Sequence, residues 1–253
     1  MPKNRLRERL RKRETSCGLW VTLESATVTE IAVTLGLDWV CIDMEHGHLG
    51  FREVMEHVRV VRGSPTTALV RVPEIGQSSI KRALDIGARG VLLPLVRGRE
   101  DLERGMSFGR YPPRGVRGVS GERAVQWGLG LQEYLSDADE ETLIIPIIET
   151  REAVEEIDAL LEAPGLEAMI WPNFTYVGPR SAKVCGSCLM AFCCHGPLAG
   201  SLVRTRAAAR VTCQPVTATR AASTGSGTRS SLATSRCCAF RVALMVAVSQ
   251  TAG

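Results

Sequence analysis

Thr67-Ala68-Leu69-Val70-Arg71-Val72 is a short β-favouring run; Ser78–Ile86 then follows a helical period, Gly87 stands where that helix should stop, and Gly90-Val91-Leu92-Leu93-Pro94 resumes an extended run. A strand, a helix and a second strand in this order require a crossover connection and parallel pairing. The same alternation extends on both sides. Strand-like segments fall at Gly18–Leu23, Trp39–Asp43, Thr142–Ile148 and Ala168–Trp171, and helix-period segments at Val28–Leu35, Arg52–Val61, Arg99–Phe108 and Arg151–Leu161. Units spaced at roughly 25–30 residues predict an α/β fold of the eightfold (β/α)8 TIM-barrel type. The competing reading, a doubly wound open sheet, lacks the G-x-G-x-x-G turn of a dinucleotide fold after its first strand.

The pattern fades after Gly178, so the barrel is expected to be incomplete or aberrant beyond its sixth strand. All 27 acidic residues lie at or before Glu167, whereas Lys183 and eight arginines lie after Gly178. Seven of the nine cysteines also fall in that last part. Residues 1–178 therefore read as the barrel region. Residues 179–253 form an atypical Arg/Ser/Ala/Cys-rich segment, whose acid-free composition is what a shifted reading frame of GC-rich DNA encodes. Within it, Val242–Val248 suits either a strand or a helical turn. Cys185, Cys188, Cys193, Cys194 and His195 have the ligand types of a zinc site, but the pairs are closer together than in a zinc ribbon or finger.

Other classes are excluded by composition. No apolar run approaches the ~18 residues that cross a bilayer, so no membrane partner is expected. The N-terminus shows no secretory signal, which predicts a cytoplasmic, reducing location without disulfides. Its Arg/Leu/Glu alternation from Asn4 onward reads as a short surface helix capped by Asn4 rather than a nucleic-acid arm.

In a parallel barrel the chemistry gathers at the C-terminal ends of the strands. The second strand runs into Asp43-Met44-Glu45-His46-Gly47-His48, the third ends at Arg71, and the fifth ends at Glu149. A histidine, an arginine and several carboxylates thus share one rim. His46 is the natural general base because imidazole titrates nearest neutrality. Arg71 suits an anionic substrate or a developing enolate, since its planar fork donates two parallel hydrogen bonds. Glu149 at the end of a buried strand is costly unless paired or metal-bound. Each of these alone is ordinarily a satisfied polar cap; it is their shared rim that points to chemistry.

These residues resemble a known family. Asp43-Met44-Glu45-His46-Gly47, Arg71, Tyr111-Pro112-Pro113-Arg114-Gly115-Val116-Arg117-Gly118 and Ile148-Glu149-Thr150-Arg151-Glu152-Ala153 occur in the order found in the HpcH/HpaI aldolases. The resemblance implies a (β/α)8 barrel that reversibly cleaves 4-hydroxy-2-oxo acids into pyruvate and an aldehyde. It also implies a divalent metal, Mg²⁺ or Mn²⁺ with Co²⁺ or Zn²⁺ as substitutes, and a homo-oligomer, a hexamer in the family. By matched position, His46 would be the acid/base and Asp85 would hold it and raise its basicity. Arg71 would stabilise the transition state, Glu149 would bind the metal, and Asp43 and Glu45 would position the loop behind them. The family's second metal carboxylate belongs to a G-P-x-D-[LF]-[ST] turn, where this chain reads Trp171-Pro172-Asn173-Phe174-Thr175. Pro172 and Asn173 are then the expected substrate contacts, with a neutral amide in place of the acid. Ile147 stands where many members carry glutamine.

Overall fold

The computed structural model describes residues 3–171 and a strand at Val242–Met245 of the 253-residue chain. Five strands, β1 (Ser16–Val21), β2 (Trp39–Asp43), β3 (Thr67–Arg71), β4 (Gly90–Leu93) and β5 (Leu143–Pro146), pair in parallel in chain order. Four helices make the crossovers: α2 (Thr27–Thr34), α3 (Phe51–Val60), α4 (Gln77–Ile86) and α5 (Arg99–Gly109). The last crossover also contains α6 (Leu131–Glu141). Past β5, the expected sixth strand is reduced to one parallel bridge between Ile147 and Ile170. The strand β6 (Val242–Met245) pairs with β1 in antiparallel sense, giving the order β5-β4-β3-β2-β1-β6. Among the described residues the sheet is therefore a parallel αβ array that does not close, and β6 lies on the edge where a closed barrel takes a parallel neighbour.

Side-chain alternation along the strands sorts the core into two faces. Val40, Ile42, Ala68, Val70, Val91 and Leu93 pack outward against the helices. Trp39, Cys41, Leu69, Leu92, Leu143 and Ile145 point to the inner face. Gly18 makes room there, because a Cβ at that position would stand 2.0 Å from the Trp39 ring. Gly87 ends α4 with φ +112, the left-handed cap expected from the sequence.

The first helix corrects the sequence reading. α1 (Arg5–Arg11) is capped by Asn4, whose side chain accepts from the Arg7 amide, but it is not a surface helix. Leu6 and Leu10 are fully buried in the inner-face cluster, so α1 plugs the sheet. Arg7 is also buried and donates from Nε to Glu167 at 2.6 Å, while the Asn4 amide donates to the Arg89 and Glu141 carbonyls. The helix expected over Arg151–Leu161 is broken into α7 (Arg151–Glu155) and α8 (Ile157–Leu161). The break falls at Glu156, whose carboxylate accepts from the Arg99 amide at the start of α5. No helix among the described residues is long and apolar enough to cross a membrane. Cys17 and Cys41 are free thiols.

Candidate active site

Register places the central pair. Asp43, the last residue of β2, is paired with Arg71, the last residue of β3, so both side chains emerge at the C-terminal edge of the sheet. Arg71 donates from Nε to Asp43 Oδ1 at 2.8 Å and from Nη2 to Oδ2, the parallel two-point geometry that guanidinium and carboxylate favour. Its third nitrogen, Nη1, lies 2.8 Å from Glu45 Oε2. Asp43 does more than neutralise charge. Its Oδ1 also accepts from the Glu45 and His46 amides at 3.0 and 3.3 Å, which folds the turn that carries the histidine.

Burial pushes the Asp43 carboxyl up, but bonds from Arg71 and Trp20 outweigh it and hold the group below its ordinary range. Burial likewise pulls Arg71 down, and the Asp43 bond and charge overcome it, so the guanidinium stays firmly charged. Glu45 shifts the other way: burial raises it, Arg71 opposes, and the negative charge of Glu149 adds to the rise. Its Oε2 is buried without a well-aligned hydrogen-bond donor.

His46 projects from the turn with its side chain 67% exposed, and its Nε2 lies 3.8 Å from Glu45 Oε2. Glu149 follows β5, where its Oε1 accepts from the Leu95 amide at 2.8 Å. Thr150 fixes the same loop by donating to the Val96 carbonyl and capping α7. The structure thus brings Asp43, Glu45, His46 and Arg71 together at one rim, with Glu149 on the same edge.

Within the single chain it does not bring Asp85 beside His46. Asp85 sits in the last turn of α4, which runs back from the C-terminal end of β3 to the start of β4. That places it toward the opposite edge of the sheet. Its carboxylate accepts from Arg117 Nη2 at 2.8 Å, and the same nitrogen lies 3.2 Å from the Tyr134 hydroxyl. Arg117 is fully buried and stacks 4.7 Å from the Tyr111 ring centroid. The carboxylate nearest His46 is Glu45. Pro172 and Asn173, like the cysteine and histidine cluster from Cys185 to His195, lie outside the described residues.

One contributor was missed in the sequence. Trp20, at the end of β1 opposite Cys41, donates from Nε1 to Asp43 Oδ2 at 2.8 Å, and its ring centroid is 5.0 Å from the Arg71 guanidinium carbon. An indole in the last turn of a strand run was the available signal, since a buried Trp N–H needs an acceptor.

Two carboxylates, Asp43 and Glu45, face the Arg71 guanidinium at this rim, and the charge of a third, Glu149, acts on Glu45; all three are oxygen ligands. The surplus of negative charge and the hard oxygen chemistry suit a divalent cation. No group of three or more potential ligands converges among the described residues, so they supply only part of such a site.

The sequence profile described as HpcH/HpaI aldolase/citrate lyase matches residues 16–176. The chain is 36% identical over 169 residues to a 4-hydroxy-2-oxovalerate aldolase of Novosphingobium aromaticivorans, covering 66% of this chain and 64% of that protein. It is 34% identical to a 2-keto-3-deoxy-L-rhamnonate aldolase of Salmonella typhi, over 70% of this chain and 64% of the relative. The chain thus spans a little under two thirds of the length of these two relatives. Among solved structures it resembles an HpcH/HpaI aldolase/citrate lyase family protein from Burkholderia cenocepacia J2315, with a TM-score of 0.61, 34% identity and coverage of 65% of this chain and 66% of that one.

Proposed function

Because the chain belongs to the HpcH/HpaI aldolase/citrate lyase family, we propose that its β2–β3 rim catalyses the reversible cleavage of a 4-hydroxy-2-oxo acid to pyruvate and an aldehyde. The observation that carries this is Arg71, a buried guanidinium held rigid by Asp43 and Glu45 at the strand end where substrate arrives. Such a preorganised cation is most useful where negative charge develops during reaction.

His46 takes the proton from the C4 hydroxyl of the substrate. The electrons of that O–H bond form the aldehyde carbonyl as the C3–C4 bond breaks, and the bonding pair passes to C3 as the enolate of pyruvate. Arg71 holds the enolate oxygen, and a proton delivered to C3 completes pyruvate. Glu45, lying between Arg71 and His46, positions the imidazole. Asp43 acts through the backbone of the turn and through Arg71. A divalent cation bound by Glu149 would supply Lewis-acid polarisation of the 2-oxo group, with Mg²⁺ or Mn²⁺ favoured by the oxygen ligands and Co²⁺ or Zn²⁺ as substitutes. Pro172 and Asn173 contact the substrate, and the protein acts as a cytoplasmic homo-oligomer on small 2-oxo acids.

The test is pyruvate release from 4-hydroxy-2-oxovalerate, read by a coupled lactate dehydrogenase assay with and without Mn²⁺. Metal-stimulated turnover lost in His46→Ala supports the reading, and absence of turnover with every divalent metal refutes it. A second reading, an aldolase-like scaffold impaired in catalysis, is favoured by one specific observation. The family glycine before the proline is either replaced by Trp171 or deleted, and Asn173 stands in place of the second acid. Under that reading the protein folds and assembles but releases no pyruvate.

A further inference from the structure

The opposite edge of the sheet carries a cavity of about 760 Å³, which the aldol chemistry does not use. It opens where β3 and β4 begin, between the N-terminal segment, the end of α3 and the segment that leads into α6. Its volume is within the range of small-molecule sites. Five basic residues line it, Lys3, Arg5, Arg62, Arg89 and Arg123, against a single carboxylate, Glu133. Arg89 is engaged by Glu141 at 3.6 Å. Among the described residues, Lys3, Arg5, Arg62 and Arg123 form no ion pair with a carboxylate. Arg123 donates from Nη1 to the Ile86 carbonyl at 2.7 Å, which fixes the base of its side chain and leaves other N–H groups of the fork for a ligand.

Like charges are held together here. Burial pulls Arg123 down, the neighbouring Arg62 and Arg59 pull it further, and Glu56 only partly offsets them. Guanidinium groups gathered in this way repel one another unless an anion joins them, and an anion with several oxygens meets several forks at once. The wall also carries Trp127, 67% exposed although it is a large aromatic residue, in a backbone with φ +54. An indole face beside a cationic cleft is where an aromatic ring stacks.

We propose that this cleft binds a small molecule bearing a diphosphate, with Arg62 and Arg123 as the principal phosphate contacts. The diphosphate can be free or part of a nucleotide, and Trp127 distinguishes the two. Because the cleft faces away from Asp43 and Arg71, the ligand binds without competing for the aldolase rim.

The experiment is isothermal titration of the full chain at constant ionic strength with pyrophosphate, ADP and sulfate. It reads binding rather than turnover and so is independent of the catalytic proposal. Pyrophosphate is expected to bind about tenfold or more tighter than sulfate, and Arg62→Glu, a change at an exposed side chain, to weaken it by about tenfold or more. Equal affinity for pyrophosphate and sulfate, or unchanged pyrophosphate binding in a folded Arg62→Glu variant, overturns the proposal. ADP binding tighter than pyrophosphate, with the difference lost in Trp127→Leu, identifies a nucleotide; equal affinities identify the free diphosphate.

Discussion

Replacing Arg71 by lysine isolates what the guanidinium does beyond carrying charge. In the structure Arg71 uses three nitrogens: Nε and Nη2 on Asp43, and Nη1 beside Glu45. Lysine keeps a positive charge near both acids, so neither is left fully uncompensated and the fold should survive. An ammonium is a single point and cannot hold Asp43 at two points while also facing Glu45 and an enolate oxygen. Loss of one preorganised donor to developing negative charge costs about 2.7–4 kcal/mol, or roughly 10²–10³ in kcat. Arg71→Met should behave differently. It abandons buried Asp43 and half-buried Glu45 and should destabilise the protein by about 3–5 kcal/mol as well as abolish activity. The assay is coupled pyruvate release for each variant alongside thermal unfolding. Arg71→Lys with kcat within about threefold of the unmodified protein would refute the reasoning, because it would show that charge alone suffices.

Three further outcomes follow from the same geometry. Asp85→Asn should lower thermal stability by weakening the hold on buried Arg117, yet leave the pH profile of pyruvate release unmoved; a shifted profile would restore Asp85 as the partner of His46. Leu10→Ala should cost about 2–5 kcal/mol in denaturant unfolding, since the side chain is fully buried in the inner face, and a loss under 0.5 kcal/mol would return α1 to the surface. Asp43 titrates below its ordinary value, so its contribution to stability is complete above the unfolded carboxyl pKa of about 3.9 and is lost as pH falls through the depressed folded value. Melting temperatures followed downward from pH 6 should therefore fall less steeply below about pH 4 in Asp43→Asn than in the unmodified protein, and parallel curves would contradict this.

Much of the fold was legible because the strands are short and uniformly buried while the helices keep their period. Thr67–Arg71 and Gly90–Leu93 appear almost as read. The rim was legible for the same reason: in a parallel αβ array a polar residue ending an apolar run has one place to go, and Asp43, Arg71 and Glu149 went there. The intrachain contact of Asp85 with Arg117 was not legible, because it depends on where the end of α4 lies. A helix following a strand returns to the opposite edge, so its last turn lies away from the residues that end the strands. The burial of α1 was hidden because its apolar part is only Leu6 and Leu10, a narrow stripe among arginines, one of which, Arg7, is itself buried. Trp20 escaped notice because an indole inside an apolar strand reads as core until its N–H finds an acceptor in three dimensions.

Enolate formation can be observed without knowing the aldehyde. Proton NMR of pyruvate in D2O with Mg²⁺ and the protein follows exchange of the methyl hydrogens, which requires removal of a C3 proton and stabilisation of the charge left behind. The account predicts exchange well above the buffer rate, accelerated by the metal and lost in Arg71→Lys. Exchange no faster than in buffer, from folded protein with the metal present, would contradict it.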